Sequence, residues 1–305
     1  MSVLEGKAAV VSGSGQGIGR AIAIAMAQEG AKIITNNRKP GTEGGDAETT
    51  AKAIRESGGE AVPVFSDVAK FDEAQKLIQS AVDNFGKIDI LVNCAGADAP
   101  RMIWNMTEEE WDRCVGSFLK GTFNTTRHAC GFMRQQRWGR ILNMSSDAFL
   151  GTVGHANYGA AKGGIVSFSR SIAREMGRYN VTCNAICPEA ATRFTLAPDV
   201  VEGFKKRYEA GLITKERLDE LLSVPPPELL APFIVYLASD EAWNINGNVF
   251  RVSGGEITLF SEPIRARAIF KSEGIWTQQE LSELIPKTLA AGLVNPAPPE
   301  AEKKP

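Results

Sequence analysis

Histidine is nearly absent: His128 and His155 are the only two among 305 residues. That excludes a histidine-rich metal centre and leaves a serine-hydrolase triad only these two residues to draw on. Cysteine is sparse and odd in number. Cys94, Cys114, Cys130, Cys183 and Cys187 form no CxxC spacing, and no secretory apolar core precedes them, so reduced thiols in a cytoplasmic protein are expected. No apolar run approaches the ~20 residues that span a bilayer, so no membrane partner is expected. An excess of either charge is missing too. Thirty-four basic residues against 36 acidic ones give a formal net charge of -2, which supplies no field to gather nucleic acid.

Apolar residues make up 43% of the chain, enough for a substantial core. KAAVV (7 to 11), AKIIT (31 to 35), AVPVF (61 to 65), IDILVN (88 to 93), RILNM (140 to 144), NVTCNAI (180 to 186) and GNVFRVSGG (247 to 255) read as strands, with helix-length segments between. Residues Ala51 to Ser57 and Glu73 to Phe85 are two such helices. Each strand is almost continuously apolar, the pattern of a parallel sheet covered on both faces. The expected fold is therefore α/β: a doubly wound parallel β-sheet of Rossmann type in one domain, residues 1–260. Residues 194–227 stand outside the alternation and read as a helical lid. Its apolar positions are Val200, Val201, Phe204, Leu212 and Ile213; Lys205, Lys206 and Arg207 form a basic cluster. Residues 261–305 form a C-terminal extension with one helix at 277–285 and a Pro/Glu/Lys tail expected to be disordered.

SGSGQGIG (12 to 19) lies where the first strand feeds the first helix. Gly13, Ser14, Gly15, Gln16, Gly17, Ile18 and Gly19 form a turn whose backbone N–H groups can meet a pyrophosphate at a helix N-terminus. At the end of the second strand, where an acidic residue would accept the ribose hydroxyl of NAD, stand Asn36, Asn37, Arg38 and Lys39. A 2'-phosphate gains a charge-assisted fork from Arg38, so NADP(H) is favoured over NAD(H). Asp67 and Val68 read either as adenine ligands or as a helix N-cap region. Asn93, Ala95 and Gly96 close the fourth strand with small residues that let backbone approach a cofactor.

NYGAAKGG (157 to 164) puts Tyr158 and Lys162 four apart, on one face of a helix. A nearby ammonium favours a phenolate, so the lysine is expected to lower the phenol's pKa from about 10. Small neighbours leave room for a planar cofactor and a carbonyl. Ser145 and Ser146 end the preceding strand, and a hydroxyl there can reach the same carbonyl oxygen as the phenol, stabilising an alkoxide as hydride arrives at carbon.

Gly13 to Gly19, Asp67-Val68, N-C-A-G at 93 to 96, the strand-end serines and Y-x-x-x-K at 158 to 162 together resemble the short-chain dehydrogenase/reductase family from about residue 4 to 260. The resemblance implies a homotetramer or dimer that moves hydride between NAD(P) and a small-molecule ketone or secondary alcohol. It implies Ser146, Tyr158 and Lys162 as catalytic residues, Tyr158 as acid/base, and Lys162 also on the nicotinamide ribose. Pro188 and Thr192 fall at the nicotinamide, Thr192 on its carboxamide. Two positions depart from the pattern: Phe118 replaces an asparagine that supports the lysine through water, and Glu189 follows Pro188 in place of glycine. These departures motivate a competing reading, a non-catalytic subunit that needs a partner chain. PEAATRFT and GNVFRVSGGEITLF are similar to the hydroxyacyl-CoA dehydrogenase part of peroxisomal multifunctional enzymes, which implies a 3-oxoacyl/3-hydroxyacyl thioester; a bulky cyclic or aromatic ketone is the other substrate class considered.

Overall fold

The computed structural model describes residues 2–192, 195, 196, 198–211 and 213–296. Phe194 and Leu212 of the expected lid, and the end of the tail from 297, lie outside the described residues. The chain divides into two compact units, Met1–Phe260 and Ser261–Pro305.

In the first unit, β1 (Ala8–Ser12), α1 (Gly17–Gln28), β2 (Lys32–Asn37), α2 (Ala47–Glu56), β3 (Ala61–Phe65), α3 (Phe71–Phe85) and β4 (Ile90–Asn93) come first. They are followed by α4 (Glu108–Val115), α5 (Gly121–Gln136), β5 (Gly139–Met144), α6 (Ala156–Met176) and β6 (Val181–Glu189). Two helices, α7 (Pro198–Glu209) and α8 (Lys215–Leu222), and then α9 (Ala231–Ala238) precede β7 (Val249–Ser253) and β8 (Glu256–Leu259). The strands form one sheet in the order β3-β2-β1-β4-β5-β6-β7-β8, parallel throughout except for the final pair.

The apolar runs are explained by two cores on opposite faces of the sheet. Ala9 and Val11 of β1, Ile90 and Val92 of β4, and Leu142 of β5 pack with Ile22 and Met26 of α1 and Ile234 of α9. The residues between them, Val10, Leu91 and Ile141, pack on the other side with Leu77 and Ile78 of α3 and Met133 of α5. Successive side chains point to opposite faces, so a strand with helices on both sides must be apolar at every position. Each such buried side chain contributes roughly 1.5–3 kcal/mol.

β8 is the element the sequence reading omits. Gly254, at φ +55°, turns the chain so that β8 runs antiparallel to β7, and every residue of β8 is exposed. An exposed edge strand carries no burial pattern to read. In the second unit, α10 (Gln278–Leu284) starts from a capping box in which Thr277 and Glu280 satisfy each other's backbone N–H groups. No single helix among the described residues is long and apolar enough to cross a membrane.

Candidate active site

The strand order reverses direction between β1 and β4, and the crevice there is where a doubly wound sheet takes its ligand. Register builds it. Ser12 pairs with Asn93 across the two strands, which sets Gly13 beside Ala95. A β-carbon on Gly13 would lie 2.7 Å from the Ala95 Cα, and one on Gly19 would lie 2.4 Å from the Gly13 oxygen. Glycine at these positions is a packing requirement. At Gly17, φ is +53° and the nearest foreign atom to an added β-carbon is Thr192 Cγ2 at 3.6 Å, so this turn faces open space and Thr192. Gln16, at the N-cap of α1, makes no side-chain cap, and the first turn holds no acidic residue. Neither the Gln16 side chain nor an acidic residue thus occupies the N-terminus of α1, as suits a pyrophosphate-binding turn. The cradle fits a dinucleotide.

The remaining sequence-selected residues around this crevice divide into engaged and available groups. Asn93 accepts from Thr125 Oγ1 at 2.6 Å and donates to Asn143 Oδ1 at 2.8 Å, so its side chain is engaged within the protein. Asn37 accepts from Ala47 N at 2.9 Å and donates to Lys39 O at 2.8 Å; its amide holds the loop after β2. Arg38 is exposed and makes no ion pair among the described residues. Asp67 is not a helix N-cap: its carboxylate accepts from Ala69 N at 3.0 Å in a local turn, and Lys70 occupies the N-cap of α3. Val68 is buried against Gly121, where an added β-carbon would meet Val68 Cγ2 at 2.8 Å.

At the carboxyl edge of β5, the two serines take different partners. Ser145 donates to Lys162 O at 3.0 Å, while Ser146 accepts from Ala148 N at 3.2 Å and lies beside the Tyr158 hydroxyl. Tyr158 and Lys162 share a face of α6, whose start is pinned by buried Asn157 donating to Ala99 O at 2.9 Å and Glu110 O at 3.2 Å. The small residues around the pair are partly a packing device. Gly159 lies against Ala148 O, and Gly164 against Leu119, where a β-carbon would come within 2.7 Å.

Lys162 is 3% exposed and donates to Met144 O at 2.7 Å. Burial pulls its pKa down to about 8. Phe118 sits in a π-helical turn, Gly116–Lys120, between α4 and α5. Its ring lies 4.1 Å from the Lys162 ammonium and meets the Tyr158 ring edge-on at 5.2 Å. The expectation that the ammonium lowers the phenol's pKa is overturned. Burial pushes Tyr158 up, Ser146 beside it opposes this, and Lys162 points to Met144 O with its charge 5.3 Å from the phenol ring centre.

Glu189 is the second departure from the family pattern. Its carboxylate pairs with Arg251 of β7, which also binds Asp147 at 3.1 Å and Glu256 at 2.8 Å. Sequence reasoning missed Arg251 because the pairing arises from β6–β7 register, where Cys187 lies opposite Arg251. It also missed His155 and Asp98. They form an ion pair at 3.2 Å, with the His155 ring 5.9 Å from that of Tyr158. All five cysteines are free. Among the described residues no cluster of His, Cys, Asp and Glu can hold a metal ion.

A glycine turn at the switch point of a doubly wound sheet, with a serine, a tyrosine and a lysine gathered at the same carboxyl edge, defines an oxidoreductase class that acts on CH–OH groups. Residues 7–197 match the short chain dehydrogenase family, and the chain belongs to it. It is 37% identical over 297 residues to the hydroxyacyl-CoA dehydrogenase ChsB1 of Mycobacterium tuberculosis, covering 92% of this chain and 88% of that one. It is 35% identical over 263 residues to peroxisomal multifunctional enzyme type 2 of Drosophila melanogaster, covering 83% of this chain and 40% of that one. Among solved structures, a short chain dehydrogenase from Mycobacterium avium superposes with a TM-score of 0.79 at 38% identity, covering 94% of this chain and 96% of that one. Family membership brings a nicotinamide cofactor, NAD(P).

Proposed function

We propose that this chain reduces a 3-oxoacyl thioester, or oxidises the corresponding 3-hydroxyacyl thioester, with preference for NADP(H). The observation that carries the reading is the buried Lys162 ammonium 5.3 Å from the Tyr158 ring, with Ser146 beside the phenol. Bound in the cradle of Gly13 to Gly19, the nicotinamide cofactor supplies or accepts the hydride. Tyr158 gives its hydroxyl proton to the carbonyl oxygen in reduction and takes it back in oxidation. Ser146 donates a second hydrogen bond to that oxygen. Lys162, fixed by Met144 O, adds positive charge behind the phenol and is a hydrogen-bond donor to a ribose. Thr192, whose Cγ2 lies nearest the open face of Gly17, is the residue assigned to the carboxamide.

The NADP(H) preference rests on Arg38, an exposed guanidinium with no ion pair among the described residues at the end of β2. The thioester class rests on the relationship to a hydroxyacyl-CoA dehydrogenase. Two helices between β6 and β7 form the substrate lid; Val200, Val201, Phe204 and Ile213 are half-buried, while Lys205, Lys206 and Arg207 face solvent and suit a substrate phosphate. The working form is a homo-oligomer. Phe71 and Phe123, 42% and 43% exposed and stacked at 6.3 Å, offer an apolar face for a second copy.

The test is turnover of acetoacetyl-CoA and of bicyclic ketones such as 1-decalone with NADPH, by the chain alone and by Tyr158→Phe. Loss of the proton donor is expected to lower kcat by about 10²–10⁴-fold with NADPH binding retained. Full activity of Tyr158→Phe overturns the assignment. Turnover only after adding a second protein supports the non-catalytic subunit instead.

A further inference from the structure

Resting on the reading of Ser146 as the second donor to the carbonyl, we propose that Arg251 is a positioning residue for the reaction. Its guanidinium clamps the turn that carries Ser146 to the end of β6, where Pro188 and then Thr192 are assigned to the nicotinamide. The two segments leave neighbouring strands, and each carries an acid directly after a site residue. Asp147 follows Ser146 beyond β5, and Glu189 follows Pro188 at the end of β6. β7 supplies the cation that both acids reach.

Every nitrogen of the guanidinium is committed. Nε donates to Asp147 Oδ2 at 3.1 Å, one Nη donates to Glu256 Oε2 of β8 at 2.8 Å, and the other donates to Glu189 Oε2. Register brings the three acids to one place. Cys187 lies opposite Arg251 and Glu189 opposite Ser253 across β6 and β7, while Ser253 faces Glu256 across β7 and β8. A lysine here would present one point charge; only the planar fork reaches acceptors in three directions.

The clamp acts on the serine through its turn. Ser146 Oγ accepts from Ala148 N at 3.2 Å and Ser146 O accepts from Phe149 N at 3.0 Å, which locks the residue to the single 3-10 turn Asp147–Leu150. That turn rests on α6, where Gly159, next to Tyr158, lies against Ala148 O. Its Phe149 meets Phe260, just after β8, edge-on at 5.2 Å, and its Asp147 is tied to Arg251. A displacement at Arg251 is therefore passed to Ser146. On the other arm, Glu189 leads into a stretch held by Ala191 N donating to Pro225 O at 2.7 Å and Thr192 N donating to Thr195 Oγ1 at 2.8 Å.

The charges explain why the clamp is needed. Three carboxylates share one guanidinium, so the cluster stays negative even with the arginine in place. Burial raises the pKa of Asp147, Arg251 pulls it back, and the charge of Glu189 raises it again, the mark of two carboxylates close enough to repel. Without the arginine, that repulsion acts between the serine turn and the end of β6. Partly exposed ion pairs add little stability, so the effect belongs in the rate. A displacement of about 1 Å at a reacting group costs up to about 100-fold.

Arg251→Gln removes the charge and keeps a polar side chain. It is assayed with saturating NADPH and acetoacetyl-CoA, or the ketone of the panel that is reduced fastest, with circular dichroism to confirm the fold. The triple variant Arg251→Gln/Asp147→Asn/Glu189→Gln is assayed beside it. Arg251→Gln is expected to lose about 10–100-fold in kcat, with Tm lowered by no more than a few degrees. The triple variant, with neither of the two acids left to repel, recovers most of that loss, and about 0.5 M NaCl recovers part of it in the single variant by screening. A side chain that only fills space gives neither recovery. Arg251→Lys, which keeps the charge without the fork, falls between the parent and Arg251→Gln. A kcat within about twofold of the parent in Arg251→Gln, or in Arg251→Lys should the first not fold, overturns the proposal, as does a loss that the two acid substitutions leave unchanged. Failure of the underlying reading has another signature: Ser146→Ala keeps full kcat whatever residue stands at 251.

Discussion

A β-carbon placed on Gly96 would lie 1.8 Å from Cε1 of Phe118, so the glycine that closes β4 and the ring that covers Lys162 occupy a single shared volume. Neither is free to change alone. Gly96→Ala is expected to destabilise the protein by about 1–3 kcal/mol through overpacking. In a Phe118→Ala background the same substitution costs almost nothing, because the ring it collides with is gone. Urea denaturation of the four proteins measures the coupling; equal costs in both backgrounds contradict it.

Cofactor choice is tested at the end of β2. Arg38→Ala is expected to weaken NADPH by about 10–100-fold and leave NADH nearly unchanged, since a charge-assisted hydrogen bond contributes roughly 1.5–3 kcal/mol and NADH has no phosphate to receive it. Titration of nucleotide fluorescence reads both affinities. Equal loss for the two removes the arginine from phosphate recognition.

Lys162 links stability to pH. Its folded pKa, about 8, lies below the ordinary 10.5. Below pH 8 the lysine is charged in both states, and the full burial penalty, on the order of 3 kcal/mol, is present. As pH rises from about 8 towards 10.5 the native lysine becomes neutral before the unfolded one does, and that penalty is relieved. Lys162→Met is therefore expected to raise Tm by several degrees at pH 7, with the advantage over the parent shrinking by pH 10, while kcat is lost. A lower Tm at pH 7 would mean that the bond to Met144 O outweighs burial.

Much of this site is legible one residue at a time. Gly13, Gly17 and Gly19 announce themselves because a tight turn after an apolar run permits little else, and a spacing of four places Tyr158 and Lys162 on one helix face whatever surrounds them. The arginine that takes Glu189 lies 62 positions away in sequence, so nothing local to either residue foretells the pair. His155 and Asp98 are likewise brought together by tertiary contacts, the bridge between residues 101 and 155 and the bond from Asn157 to Ala99 O. The direction of the Tyr158 shift was misread because a four-residue spacing reports proximity of side-chain roots, while the pKa follows burial and where the ammonium points.

The sequence alone determined the doubly wound sheet, since continuous apolar strands alternating with helices bury themselves in few other ways, and it determined the chemistry available at the carboxyl edge. Tertiary structure decided which polar groups remain available there. Asn37 and Asn93 are consumed by their neighbours, Ser146 lies beside the phenol while Ser145 turns to α6, and Phe118 covers Lys162. Hydrogen-bond partners and burial are properties of folded neighbours, and these come from strand register and helix packing across the whole chain.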